Sequence, residues 1–321
     1  MPLRALAGRF SPAGSKARLS ILIYHRVLVR PDALLSAEPD AHAFRWQLQV
    51  LASLFNVLPL SEAVERLAKG TLPARAACIT FDDGYADNAT VALPILQELG
   101  LPATFFIATG YLDGGLMFND QILETMRRVP EGTIEWPELG FEPRLIRGDQ
   151  DRKQIATELI QGLKHLEPDE RQTRAQAIAE RSPTPLPTDV MMTREQVKEL
   201  AAAGMTIGAH THRHPILART PDAQARAEIA GGREALEQLL GEPVRLFAYP
   251  NGKPGQDYDH RHVVMVREAG FAAAVSTAWG VSTSSSDPHQ LARFTPWDQT
   301  PGRFGLRLLR NLMTHESGHE V

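Results

Sequence analysis

The sequence predicts an α/β protein built around a parallel sheet or barrel. Short apolar runs typical of buried strands alternate with longer segments of helical periodicity along most of the chain. Three of these runs end abruptly in polar or turn residues, as strands do when they carry side chains to the edge of a sheet. A length of 321 residues with 43% hydrophobic residues allows one large barrel or two ordinary domains.

The individual elements are predicted from periodicity and from flanking glycine, proline and capping residues. The early strands are predicted at 20–24, 76–81 and 103–108, and the early helices at 44–54, 60–67 and 92–99. From about 117 to 192 the pattern is mainly helical and closes with a proline-rich stretch. We interpret this part as an insertion that either shapes a binding groove or is a solvated decoration. After it, a capping box at Thr193 restores the alternation, with helices to 203, at 221–240 and at 263–269, and a strand at 271–275.

Two adjacent carboxylates follow the apolar run at 76–81. Asp82 and Asp83 repel each other, and a half-buried strand end would also deprive them of water, so the pair needs a cation or a shared proton. A metal held by one carboxylate, with the other left free as a base, would satisfy both. The alternative is a solvated turn, because Asp-Asp-Gly is common in loops.

Three histidines follow a second apolar run, at 205–209. Two imidazoles and one carboxylate form the ligand set of an open catalytic zinc site. The partner that Asp83 lacks would then be a metal, bound also by His210 and His214. His212 would point the opposite way in an extended segment and is expected to be an ordinary surface or core residue. A third strand-like run, at 245–252, also ends in turn residues.

These segments together resemble the polysaccharide deacetylases with a NodB-homology domain, carbohydrate esterase family 4. The matching motifs, in the order of the family, are Thr80-Phe81-Asp82-Asp83-Gly84, His210-Thr211-His212-Arg213-His214 and Phe247-Ala248-Tyr249-Pro250-Asn251-Gly252. Tyr24-His25-Arg26-Val27 is similar to the opening strand of exopolysaccharide-type members. The resemblance implies a distorted (β/α)7 barrel. The residue pattern then divides the chain into a flexible segment at 1–18, the barrel at 19–300 with a mainly helical insertion at 117–192, and an amphipathic helix with a tail at 301–321.

The resemblance also implies a reaction, the hydrolysis of an N-acetyl amide on an amino sugar. Asp82 would be the general base that activates the attacking water, and Asp83, His210 and His214 would hold one divalent metal. Zinc suits this ligand set best, and cobalt, nickel, iron or manganese stay open. A backbone amide near Tyr249 would stabilise the developing oxyanion.

The chain departs from the family pattern at two places. Many members carry an arginine in the third motif, and this chain has none there, so Arg293 is predicted to orient the base, with a surface salt bridge as the alternative. The general acid stays unassigned, because His289 lies at a loop position and is expected to be solvated. The residues predicted to contact substrate are His25, Tyr85 and Pro250.

Composition and the chain ends restrict the partners. A net charge of −4 argues against nucleic acid, and a single cysteine excludes an intrachain disulfide framework. The apolar stretch in 1–18 is too broken for a secretory signal or a membrane span, so the cytoplasm is the expected location. A basic amphipathic helix at 303–313 packs on the domain or touches an anionic membrane surface, and the last residues, with His315 and His319, are expected to be disordered.

The sequence therefore predicts a metal-dependent deacetylase of amino sugars in a surface polysaccharide or its precursor. Two alternatives keep the fold and the metal but change the substrate, to a lipid-linked amino sugar or to a cyclic amide, as in allantoinase-like relatives. A non-catalytic carbohydrate-binding relative is the alternative from another class. A binding module would not need both a base and a ligand set, which argues against it.

Overall fold

The computed structural model describes residues 2–137, 140–296, 298–314 and 321. The strands are β1 (Leu19–Tyr24), β2 (Asn56–Val57), β3 (Ala76–Phe81), β4 (Thr104–Ile107), β5 (Gly132–Ile134), β6 (Arg144–Ile146), β7 (Thr206–Ala209), β8 (Leu246–Ala248) and β9 (Ala273–Val275). The helices are α1 (Pro2–Phe10), α2 (Ala41–Leu54), α3 (Leu60–Ala68), α4 (Leu93–Leu99), α5 (Phe118–Arg128), α6 (Asp149–Lys164), α7 (Pro168–Ala179), α8 (Arg194–Ala202), α9 (Asp222–Leu240), α10 (His260–Glu268) and α11 (Pro301–Leu312).

The core of the molecule is a curled parallel sheet in the order β1-β3-β4-β7-β8-β9, with β2 beside the start of β3. Every residue of β1 and of β3 is buried, as expected for strands that helices or the barrel interior cover on both faces. Two residues beyond β9 join the outer strands: Leu291 bridges to Val275 of β9, and Phe294 bridges to Leu22 of β1. We call 291–294 the closing segment. The predicted α/β barrel is thus confirmed, and its carboxyl-terminal strand ends meet at one edge.

Helices cover the outside of this sheet where the sequence predicted them. The predicted capping box is present at α8, where Thr193 and Gln196 each accept from the other's backbone N–H. Helix α4 ends at Gly100, whose φ of 63° is the left-handed conformation that glycine adopts without strain. These local signals agree with the tertiary arrangement.

Helices α1 and α11 pack against each other and against α2. Where the sequence predicted a flexible segment, α1 lies against α2 and α11 and buries Ala7 completely. One face of α11 is buried through Phe304, Leu308, Leu309 and Leu312. Leu306 of this helix and Met313 directly after it are exposed. The tail with His315 and His319 lies outside the described residues. Among the helices that the structure describes, none has the length and apolar character needed to cross a bilayer.

The insertion forms a small layer of its own beside the strand ends. Helices α5, α6 and α7 pack together over an apolar cluster that includes Met126, Leu159 and Ile178, and the antiparallel pair β5–β6 lies next to α6. The helices were predicted, whereas the short β5–β6 pair was not. Proline at 183, 185 and 187 leads the chain back to the barrel.

Candidate active site

The two predicted metal-binding motifs meet at the carboxyl-terminal edge of the sheet. Asp83 follows β3, and its Oδ1 lies 3.4 Å from Nε2 of His210 and 3.3 Å from Nε2 of His214. The potential ligand atoms of these three residues all lie within 4.8 Å of one another. An oxygen and two imidazole nitrogens at these separations can bind one divalent cation between them.

Hydrogen bonds fix the tautomer of His210 and the position of the loop that carries His214. Nδ1 of His210 is 2.7 Å from the carbonyl oxygen of Ala248, so this nitrogen carries the proton and Nε2 is left with a free lone pair that faces Asp83. The loop to His214 is fixed by Thr211, whose hydroxyl accepts from the His214 amide at 3.1 Å. The donor set therefore fits a resident metal ion, both in element type and in tautomer.

The backbone around these residues is strained. Asp83, Thr211, His214 and Asn251 have φ values of 78°, 63°, 52° and 59°, in the left-handed region that residues with a side chain rarely adopt. Each such residue costs on the order of 1–3 kcal/mol, and such strain clusters at functional sites. The strained residues follow three different strands, so the strain is concentrated at this edge.

A guanidinium holds the other carboxylate. Nη1 and Nη2 of Arg293 each lie 2.7 Å from one oxygen of Asp82, a bidentate pair in which both side chains are buried. Arg293 also donates to Thr80 Oγ1 at 3.2 Å and to the Ser276 carbonyl at 2.8 Å. Because Arg293 lies on the closing segment, the closure of the barrel fixes the orientation of Asp82.

The two carboxylates and the two imidazoles differ in charge state. Burial alone would raise the pKa of Asp82, but the charge of Arg293 outweighs it and holds that pKa below its usual range. Burial would also raise the pKa of Asp83, but the imidazoles of His210 and His214 outweigh it and lower that pKa. Burial lowers the pKa of His214 to about 3, so this ring is neutral at physiological pH and can be a ligand. The two carboxylates outweigh burial and raise the pKa of His210. A cation bound at Nε2 would take the place of the second proton of this ring.

A cavity of about 280 Å³ opens over these residues. The barrel contributes His25, Arg26 and Glu38 to its wall beside the two carboxylates and the two imidazoles. Helices α5 and α6 of the insertion form the facing side. The insertion residues that line the cavity are Met117, Phe118, Asn119, Asp120, Leu123, Ile160 and Lys164.

Comparison with known proteins identifies the family. The sequence model of the polysaccharide deacetylases matches residues 69–144 and 173–274, just over half of this chain. The chain belongs to the polysaccharide deacetylase family. YxkH of Bacillus subtilis (strain 168), named as a polysaccharide deacetylase, is 22% identical over 279 residues, which are 86% of this chain and 71% of that protein.

Two solved structures share the fold. The deacetylase PplD of Streptococcus pyogenes, in complex with acetate, has a TM-score of 0.62 at 19% identity, over 92% of this chain and 98% of that chain. IcaB from Ammonifex degensii has a TM-score of 0.58 at 20% identity, over 95% of this chain and 99% of that chain. The arrangement of barrel and helices is thus that of known deacetylases.

Within this polysaccharide deacetylase, the third motif reaches the cavity at Asn251. The amide of Tyr249 donates to the Val275 carbonyl at 3.2 Å, and its hydroxyl donates to the His289 carbonyl at 3.0 Å. Tyr249 and Pro250 are also absent from the described residues that line the cavity. The pairing of β8 with β9 thus uses the amide of Tyr249 itself, and the oxyanion donor near Tyr249 and the substrate contact of Pro250 stay predictions.

Four other predicted residues take clear positions. His25 and Tyr85 line the cavity, as predicted for substrate contacts. His289 is buried rather than solvated, with Nε2 3.0 Å from the Phe271 carbonyl, and it lies away from the cavity-lining set. His212 is exposed and pairs with Thr109. The histidine predicted to be ordinary is therefore outside the site.

The sequence did not reveal two residues of the insertion near the site. Asp120 of α5 is buried in the cavity wall, and Arg171 of α7 is buried with Nη2 3.4 Å from the His214 carbonyl. Neither lies in a motif. The polar pair Asn119-Asp120 at the start of an otherwise mixed helix is the signal that could have indicated the first of them.

Proposed function

We propose that this protein is a metal-dependent hydrolase that removes N-acetyl groups from amino sugars of a surface polysaccharide or its precursor. The observation that carries the proposal is the contrast between two adjacent aspartates. Arg293 clamps Asp82 through both oxygens, whereas Asp83 faces the imidazoles of His210 and His214. One carboxylate is thus held as a base, and its neighbour belongs to a ligand set.

Asp82 supplies the base in this proposal. Its lowered pKa keeps it ionised at neutral pH, and the bidentate arginine leaves further lone pairs on each oxygen free to accept a proton. Such a carboxylate is a weak base, so it needs an acidified water. A divalent cation held by Asp83, His210 and His214 would supply this by lowering the pKa of water to about 7 and would polarise the amide carbonyl.

The leaving amine needs a proton when the C–N bond breaks. His25 lines the same cavity as Asp82 and Asp83. Its imidazole is therefore placed to act as the proton donor. This role adds to the substrate contact that the sequence predicted for it.

The metal is proposed to be zinc. Two imidazoles and one carboxylate are the set found in open catalytic zinc sites, and they also accept cobalt, nickel, iron or manganese. We therefore compare zinc, cobalt and nickel directly in the experiment that tests the function.

The test is acetate release from N-acetylglucosamine oligomers by protein that has been stripped with a chelator and reloaded with each metal. Release that returns with metal and is lost in Asp82→Asn, which should still bind metal, supports the reaction and the base together. Asp189→Asn, at an exposed position, is the matched control and should keep normal turnover. If no metal restores release, the proposal is refuted, and lipid-linked amino sugars and cyclic amides are the next substrates to assay.

A further inference from the structure

A buried carboxylate lies on the cavity wall opposite the metal ligands. Asp120 is only 3% exposed and lines the cavity over Asp83, His210 and His214. It belongs to α5, so it comes from the insertion and not from the barrel. Asp120 lies outside the three sequence motifs of the barrel, and the proposed mechanism assigns it no role.

The hydrogen bonds of this carboxylate are incomplete. Among the residues that the structure describes, its one donor is the Tyr85 hydroxyl, which lies 3.3 Å from both oxygens. An ionised carboxylate has about four acceptor positions, and buried polar groups in folded proteins are normally satisfied. At least two acceptor positions are therefore left for a molecule in the cavity.

Neighbouring side chains hold the carboxylate of Asp120 in place. Tyr85 accepts from the Asn119 side chain at 3.3 Å, and its ring lies under the Arg26 guanidinium at 4.7 Å. Arg26 itself is paired with Asp87 at 2.7 Å, so this arginine is committed elsewhere. Burial raises the pKa of Asp120 to about 7, although the charge of Arg26 opposes the rise.

We infer that Asp120, oriented by Tyr85, binds a ring hydroxyl of the amino sugar whose N-acetyl group lies over the metal ligands. Apolar side chains beside it, Phe118, Leu123 and Ile160, suit the C–H faces of a pyranose ring. The insertion thereby determines which sugar enters, and the barrel performs the hydrolysis. This inference rests on the proposed function and specifies its substrate class as a hydroxyl-bearing sugar, which a cyclic amide is not.

The kinetic test compares Asp120→Asn with wild type on two substrates. For N-acetylglucosamine tetramer, the KM should rise about tenfold or more with kcat little changed, because a hydrogen bond to a charged acceptor is lost. For 4-nitrophenyl acetate, which has no sugar, the loss should be much smaller, so the ratio of kcat/KM for the two substrates should fall about tenfold. Tyr85→Phe should change the ratio in the same direction, and Asp149→Asn, at an exposed position of α6, should not change it.

Three results would overturn the inference. An equal loss on both substrates would mean that Asp120 supports the metal or the base. A fall of kcat for the glycan with an unchanged KM would make it a proton donor, and no change on either substrate would make it structural.

A binding measurement separates this inference from the proposed reaction. Titration calorimetry with the tetramer should give a Kd about tenfold weaker for Asp82→Asn/Asp120→Asn than for Asp82→Asn. A weaker Kd without any turnover by wild type would refute the reaction alone. Equal Kd values, or no binding to either protein, would refute the role of Asp120.

Discussion

Replacing Arg293 with alanine should destabilise the protein and should also lower turnover, because Asp82 would lose its orientation. The substitution removes both hydrogen bonds to Asp82 and leaves a carboxylate that is 2% exposed without its cation. Breaking a buried ion pair from one side costs about 3–5 kcal/mol, which is a large part of a typical stability of about 5–15 kcal/mol. Turnover should fall about 10²-fold, because a displaced base is misaligned, while the metal ligands stay intact.

The stability lost in Arg293→Ala should depend on pH. In the wild type the lowered pKa of Asp82 contributes stability above the unfolded value of about 3.9, and that contribution is lost as the pH falls through the folded value. In Arg293→Ala, burial without the arginine raises that pKa, so the variant becomes less stable as the pH rises through it. The deficit relative to wild type should therefore be large at pH 8 and smaller at pH 5, by about 1.4 kcal/mol for each unit by which the new pKa exceeds 5.

Urea unfolding of metal-stripped protein at both pH values, with metal content and acetate release on loaded protein, would check this. Arg226→Ala is the matched control, because its ion pair with Glu268 is exposed and should change stability by at most about 1 kcal/mol. The double variant Asp82→Asn/Arg293→Met should recover part of the lost stability, since both charges are gone. A deficit below about 1 kcal/mol at pH 8, or one that does not vary with pH, would refute the reasoning.

Three further substitutions test other parts of the structure. His214→Ala should lose stoichiometric metal and turnover because one ligand of three is gone, while His212→Ala should keep both; elemental analysis and the acetate assay decide. In metal-stripped protein, Asp120→Asn should gain about 2–3 kcal/mol over wild type between pH 5 and pH 8 in urea melts, because a folded pKa of about 7 costs stability as the pH rises towards it; a constant difference would contradict this. Gly208→Ala should lower the unfolding free energy by about 1–3 kcal/mol, because its Cβ would lie 2.4 Å from the Phe106 ring, and an unchanged melting temperature would contradict the packing.

The sequence predicted those parts of the site that follow directly from strand ends. An apolar run that stops at Asp82 and Asp83, and another that stops at His210, can be recognised because parallel strands bring their carboxyl ends to one edge. Arg293 could be proposed only because the third motif lacked an arginine. Its contact with Asp82 depends on a closing segment whose few sheet bonds leave little periodicity in the sequence.

The remaining features depend on tertiary contacts that local patterns do not encode. The sequence predicted an oxyanion donor near Tyr249 but could not show that the alignment of β8 with β9 commits the amide of Tyr249 itself to Val275. Helix α1 contains Gly8 and is short, so packing against α2 and α11 stabilises it rather than helix propensity. Asp120 has no motif, and its place in the cavity depends on how the insertion folds over the barrel.

The closing segment makes enzymatic competence a property of the completely folded chain. The residue that aligns the base lies 211 residues after it, so this contact forms only when the seam between β9 and β1 is closed. Contacts of such long range carry the largest loop-closure cost and are expected late in folding. A nascent or partly unravelled molecule would keep Asp82 solvated and untethered, even with its histidine loop formed. Hydrolysis would then begin only after the closing segment has paired with β1 and β9.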